Sequence, residues 1–410
     1  MPLESGREEN SRCLEATRGV FLPEELQSLF GTAGTEWQVL LECAHVNPDT
    51  RRLHELSRGK VDWPLFFELA EGHGVLGLAA NSLRDCDDAV LPREIWQKIR
   101  DWHRAQMLFT LRLTAEMFRL LERFAARGIE ILVIKGPVLS VRCYGDPGAR
   151  QYADLDLIVR DTDILRSTEL MTGLGYEPDI APRAIRAAKA PGEYAFRQPA
   201  TNLLVEFHTE RTFRYYPRQV PLEALFARQA RVLIDSHEVP ALSVEDELVL
   251  ICIHGAKHFW ERSMWIADVA ALVSRQTPDW DRAVSAARQV RAERMLHVGL
   301  RLAVNLSGAQ LPQRIAAAVQ SDGAAARLSS QIARGLPSAA SATPGILARA
   351  MFRISMRGGF LSGPAYLLRL SLSPTEEDWV KNSEEQQSSI FDALRRPFRL
   401  ARKYSRDGKA

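Results

Sequence analysis

The stretch IEILVIKGPVLSVRCYGDPGARQYADLDLIV, residues 129–159, decides the fold. It begins with a short β-branched run that ends at Lys135 and Gly136. Pro137 follows, suited to the first position of a helix because its missing N–H is not needed there. The stretch closes on a second apolar run, DLDLIV, with Asp154 and Asp156 one residue apart. A strand has a side-chain period of two. Both aspartates therefore belong to one sheet face, and Leu155 and Leu157 to the other.

Two carboxyls so close repel one another unless a cation joins them. Hard cations such as Mg²⁺ take one or two carboxylates and complete their shell with water and phosphate oxygens, so a paired-Asp strand is suited to a nucleotide site. The competing reading is an edge strand with two solvated charges.

Working outward, residues 20–105 read as helices: EWQVLLECAHV and DWPLFFELAEGHGVLGLAANSL both set apolar residues three and four apart. Helix continues through AQMLFTLRLTAEMFRLLERFAARG, with Gly128 as its C-cap. After DLDLIV the pattern gives a helix through TDILRSTELMTGLG. Then comes a hairpin of GEYAFRQ and NLLVEFHTE turned at PATN, and a second hairpin of ARVLID and HEVPALS. Helix returns from Ser243, which with Asp246 forms a capping pattern. GLPSAASATPG reads as a linker, and the chain ends in a basic tail.

Strands confined to the middle give an α+β fold: a small mixed β-sheet core flanked by N- and C-terminal helical regions. The expected division is an N-terminal helical region (1–105), the core (106–242), a C-terminal helical domain (243–340), and a linker with basic tail (341–410).

The chain has 410 residues, 46% apolar and 25% charged, as in ordinary globular proteins with a sizeable core. A net charge of +2 argues against a surface built throughout to grip nucleic acid. Five scattered cysteines with no C-x-x-C pair indicate neither a disulfide framework nor a zinc site. No signal-peptide core and no uninterrupted membrane-length apolar run is present, so a cytoplasmic location is expected.

Four features converge on one site. VIKGP is a strand end leading into a helix N-terminus, where backbone N–H groups and the helix dipole favour an anion; Lys135 adds a charge and Gly136 lets backbone approach closely. Alone it reads rather as an ordinary strand–turn–helix junction. Asp154 and Asp156 are the second feature. Glu206, a carboxylate inside LLVEFH, is the third, and Arg150 the fourth, placed to steer phosphate or to balance the carboxylates. Three carboxylates beside a glycine-led helix start suit two-metal phosphoryl chemistry, in which positioning and charge neutralisation do most of the work.

The order ILVIKGPVL, YGDPGARQYADLDLIV, GLGYEP, VEFH, HGAKHFW, WIADVAALV resembles the uncharacterised nucleotidyltransferase family of bacterial proteins, within the polymerase-beta-type nucleotidyltransferase superfamily. The resemblance implies a nucleotidyltransferase core with Asp154 and Asp156 binding Mg²⁺ (or Mn²⁺) and Glu206 in the third acidic position. It also implies nucleotide binding by Lys135, Gly136, Arg150, Lys257 and His258, with Asp268 a further recurrent residue. One departure stands out: the wider superfamily has Gly-Ser or Gly-Gly where this chain has Gly136-Pro137, which removes a serine contact to the terminal phosphates.

The implied activity is transfer of a nucleoside monophosphate from an NTP to a hydroxyl acceptor, whether sugar, metabolite, RNA end or protein, with release of pyrophosphate. The alternative is a weakly active or inactive nucleotide-binding regulator or scaffold in a polysaccharide or peptide-modification pathway. His254 and His258 share a helix face, but Gly255 stands where a zinc-protease helix needs glutamate, so a structural role is favoured over zinc. His208 shares a face with Glu206, to touch substrate or to pack. For the basic tail, docking by its apolar side is preferred to a membrane-surface role.

Overall fold

The computed structural model describes residues 34–84, 91–180, 192–209, 220–339 and 345–357. The basic tail, and the later part of the linker before residue 345, lie outside the described residues.

The described residues open with four helices, α1 (Thr35–Cys43), α2 (Thr50–Ser57), α3 (Trp63–Gly72) and α4 (Leu76–Ser82). Asp49 and Asp62 cap α2 and α3 by accepting backbone N–H groups of their first turns. The long α5 (Arg93–Ala125) crosses the expected boundary at 105/106 without a break. Its first half buries Ile95 and Ile99 among the helices, and its second half lays Leu113, Met117, Leu120 and Phe124 on the sheet. That spacing of three to four residues is one helical stripe.

Among the described residues seven strands form one sheet in the order β3-β4-β5-β2-β1-β7-β6. They are β1 (Leu132–Ile134), β2 (Asp154–Ile158), β3 (Glu177–Pro178), β4 (Glu193–Arg197), β5 (Leu204–His208), β6 (Ala230–Ile234) and β7 (His237–Ala241). β1 runs antiparallel to β2 and parallel to β7, β2 runs parallel to β5, and the other pairs are antiparallel, so the sheet is mixed. Both expected hairpins are present, with Arg197 opposite Leu204 and Ile234 opposite His237. Among the described residues three short α-helices accompany the sheet: α6 (Gly136–Tyr144), α7 (Ile164–Gly173) and α8 (Leu222–Ala227).

Strand alternation divides the sheet chemically. Leu155, Leu157, Val205 and Phe207 pack against α5, where Phe124 meets Phe207 edge-on at 5.7 Å. Each fully buried side chain of this size contributes about 1.5–3 kcal/mol. The opposite face carries the polar residues of β2 and β5 and turns toward the C-terminal helices.

These are α9 (Val244–Lys257), α10 (Ser263–Gln276), α11 (Trp280–Gln289), α12 (Glu293–Ser307), α13 (Gln313–Ser321), α14 (Gly323–Ala339) and α15 (Ile346–Arg357). Ser243 caps α9 through the Asp246 N–H, as its sequence pattern indicates. The α1–α4 helices share one hydrophobic core with α9–α15. α14 includes Pro337, and α15 is helical inside the segment read as linker and tail, with Phe352 and Met356 buried. No helix among the described residues is long and apolar enough to cross a membrane.

Candidate active site

The pairing register builds the site. Ile134 lies opposite Asp156, and Asp156 lies beside Glu206 across the parallel β2/β5 pair. His208 follows Glu206 on the same face, and the antiparallel β4 sets Glu193 opposite His208. Asp154, Asp156, Glu206, His208 and Glu193 therefore share one side of three adjacent strands.

Lys135 ends β1 at φ 54 and ψ −138, a backbone conformation unusual for a side-chain-bearing residue. Gly136 follows at φ 41, and this positive φ, rather than lack of space, is what requires glycine. Together the two residues swing the chain from β1 into α6 and turn the lysine onto the carboxylate face. Lys135 Nζ donates to Asp156 Oδ1 at 3.1 Å, and His208 Nε2 lies 2.6 Å from the same oxygen. A carboxylate can only accept, so His208 carries its proton on Nε2.

The carboxyls respond differently. Burial opposes ionisation of Asp156, but Lys135 and His208 outweigh it and hold the group well below the usual carboxylate range. Asp154 is raised, first by burial and then by Asp156. Glu206 is pushed up to about 7 by burial, then by Asp156, with Asp154 and Glu193 adding and His208 opposing. Lys135 is held more firmly protonated: burial works against it, but Asp156, Asp154 and Glu206 prevail.

Ligand atoms of Asp156, Glu206 and His208 lie within 4.8 Å of one another. A set dominated by carboxylate oxygens, with one carboxyl pushed toward protonation by burial and then by its neighbours, suits a hard divalent cation that would replace that proton.

The other residues implied by the resemblance divide. Lys257 ends α9 with Nζ 4.0 Å from Glu193 Oε1, and His258 follows as the helix C-cap. His258 is depressed to about 3 by burial, then by Lys257 and Lys135. Arg150 is buried, and its Nε donates to Asp268 Oδ2 at 2.7 Å, while Tyr144 donates to Asp268 Oδ1 at 3.0 Å. This pair ties the loop before β2 to α10, and the Arg150 charge also acts on Asp154.

His254, His258 and Trp265 form a ring cluster with centroids 4.7–5.4 Å apart. Gly255 is small because the Trp260 ring lies over it, where a Cβ would come within 2.6 Å. Glu193 is the site residue that sequence reasoning missed. Its signal was present: counting back from the PATN turn sets Glu193 opposite His208.

A mixed sheet with a carboxylate face, met by lysines from a strand end and a helix end, is an arrangement compatible with nucleotidyl transfer. The chain belongs to the uncharacterised nucleotidyltransferase family, whose profile matches residues 59–308. Membership supports nucleotidyl transfer as the general chemistry. No curated protein matches the chain significantly.

Proposed function

We propose that the protein is a nucleotidyltransferase dependent on Mg²⁺ or Mn²⁺, moving an NMP group from an NTP to a hydroxyl acceptor with release of pyrophosphate. The observation that carries this reading is the crowding of Asp154, Asp156, Glu206 and Glu193 on one face, with Glu206 pushed up to about 7. Asp154, Asp156 and Glu206 would hold the ion. When bound, it neutralises the carboxylates and draws charge from phosphate oxygens.

The remaining roles fall to the chain itself. Lys135, now the counter-ion of Asp156, is the group that turns to a phosphate once the carboxylates are otherwise neutralised. Gly136 offers its N–H at the start of α6, and Lys257 and His258 flank the nucleotide. Arg150, held by Asp268, fixes the loop that leads into Asp154 and, with Lys135, favours phosphate there.

The order of a glycine-led helix start, a D-x-D strand and a third acid on a parallel neighbour supports affiliation with the polymerase-beta-type superfamily of bacterial proteins. A cytoplasmic setting would supply the NTP and keep the buried thiols of Cys143 and Cys252 reduced.

The test adds Mg²⁺ and each NTP to the wild-type protein. A rise in thermal midpoint with the two together, and pyrophosphate release once an acceptor extract is supplied, is the expected result. One specific feature favours a second reading, a nucleotide-binding regulator that turns over little. Pro137 removes an N–H and a hydroxyl from the helix start. Stabilisation by Mg²⁺-NTP without pyrophosphate release under any acceptor would select that reading.

A further inference from the structure

Helix α15 lies beyond the residues matched by the family profile, which end at 308. Phe352 and Met356 anchor it in the helical core. From there its arginines reach the turn that follows α9. Arg353 Cζ lies 5.2 Å and Arg349 Cζ 5.5 Å from the centroid of the Phe259 ring, and the Phe352 ring packs tilted against it at 5.1 Å.

The turn is rigidly made. Phe259 and Trp260 both take positive φ, 59° and 55°, and the Trp260 ring is fully buried between Gly255 and Gly299. Phe259 is thus a fixed platform next to His258 and Lys257.

Charge converges there from three separate elements. Lys257 ends α9, Lys135 ends β1 and Arg353 comes from α15, and all three act on the His258 imidazole, whereas Glu193 opposes them. Lys257 and Arg353 also line one crevice with Ile253 and Met295. Among the described residues no carboxylate pairs with Arg353. A guanidinium that meets an aromatic ring rather than a carboxylate keeps N–H groups for a planar pair of hydrogen bonds, the geometry that recognises phosphate. Lys257 thus joins the two charges, near Glu193 of the acidic sheet face on one side and sharing the crevice with Arg353 on the other.

We infer that Arg353 on α15, with Lys257, binds the triphosphate chain of the NTP, so that a helix outside the family-matched region completes the nucleotide site. This rests on the nucleotidyl-transfer reading and adds to it a phosphate-binding residue and the element that supplies it.

The test uses the full chain with Mg²⁺ and measures binding of the four NTPs and of inorganic tripolyphosphate by calorimetry. Arg353→Gln should weaken both about ten- to a hundredfold, the value of a charge-assisted contact, and Arg353→Lys should fall between it and wild type. Independently of any variant, tripolyphosphate should protect Arg353 of the wild-type chain from phenylglyoxal, read by mass spectrometry.

Wild-type affinity in both variants together with an unprotected Arg353 overturns the inference while leaving nucleotidyl transfer intact. Wild type that binds tripolyphosphate but none of the NTPs overturns the nucleotidyl reading, and Arg353 is then judged on tripolyphosphate alone. Binding of neither overturns both.

Discussion

Two sets of buried charge in this protein are built on different terms. In the α6/α9/α10 layer each acid has its own guanidinium. Arg142 bonds Glu247 and the Leu242 carbonyl, and Arg150 bonds Asp268, which also accepts from Tyr144. On the sheet face Asp154, Asp156, Glu206 and Glu193 are met by Lys135, Lys257 and His208, with Lys135 and His208 both directed at Asp156. Burial raises acids in both places, yet only on the sheet face do other carboxyls rank next after burial among the causes. The first set is closed and structural. The second carries unrelieved repulsion, which a protein keeps where a ligand is to relieve it.

The largest expected effect separates the two sets by activity. Asp156→Asn should lower nucleotidyl transfer by about 10²–10³-fold or more, because the site loses the carboxylate at its centre. Folding should survive with some loss of stability, since the Lys135 and His208 contacts to Asp156 both weaken and relief at Glu206 offsets only part of that. Steady-state pyrophosphate assays and thermal melts read the two effects separately. An inactive variant that is also unfolded would place Asp156 in the structural set.

The closed set should fail in the opposite manner. Arg142→Met leaves Glu247 buried without its partner, and removing one member of such a pair costs about 3–5 kcal/mol. Urea unfolding of this variant should show that loss. A stable Arg142→Met protein with reduced NTP affinity would erase the distinction between the sets.

Why the sequence disclosed one set better than the other follows from the physics. Asp154, Asp156 and the two hairpins are local patterns, written by strand alternation and turn residues. The α+β class, the helix start at Gly136 and the Ser243 cap are equally local. Which strands adjoin is not local: the parallel β2/β5 pairing that brings Glu206 beside Asp156 depends on the whole sheet. Glu193 reaches the site only through that pairing and the β4/β5 hairpin together. Spacing alone does not give the partner of Arg150, because Asp268 is 118 residues away. α15 lies in a stretch whose Arg content reads as a tail, and its buried Phe352 and Met356 acquire meaning only against the helical core.

A pH titration sharpens the comparison from the scaffold side. His73 is completely buried beside Trp37, accepts the Ser263 N–H on Nδ1 at 3.3 Å, and is depressed to about 4 by burial and then by Arg262. Between about pH 6.5 and 4 the unfolded chain binds more protons at this residue than the folded one. Its stabilising contribution is therefore complete above pH 6.5 and is lost as pH falls toward 4, by up to about 3 kcal/mol. Chemical denaturation of wild type and His73→Gln across this range should give curves of different slope. Parallel curves would mean that acid acts on this protein elsewhere.

The smallest effect is the most direct measure of repulsion on the sheet face. Asp154 is raised by burial and then by Asp156, and neither of its neighbours Lys135 and Arg150 is dedicated to it, since each bonds another acid. Asp154→Asn keeps the shape and removes one negative charge. In chelator-treated buffer the variant should be more stable than wild type by about 0.5–1 kcal/mol, because a like-charge contact is relieved. On addition of Mg²⁺ and NTP the order should reverse: wild type gains thermal stability by mass action on the folded state, and the variant gains little. A loss of stability in chelator would show Asp154 to be held as Asp268 is, inside a satisfied network. The carboxylate face would then differ from the closed set in position only, and metal binding would have to be sought through Glu206 and His208 instead.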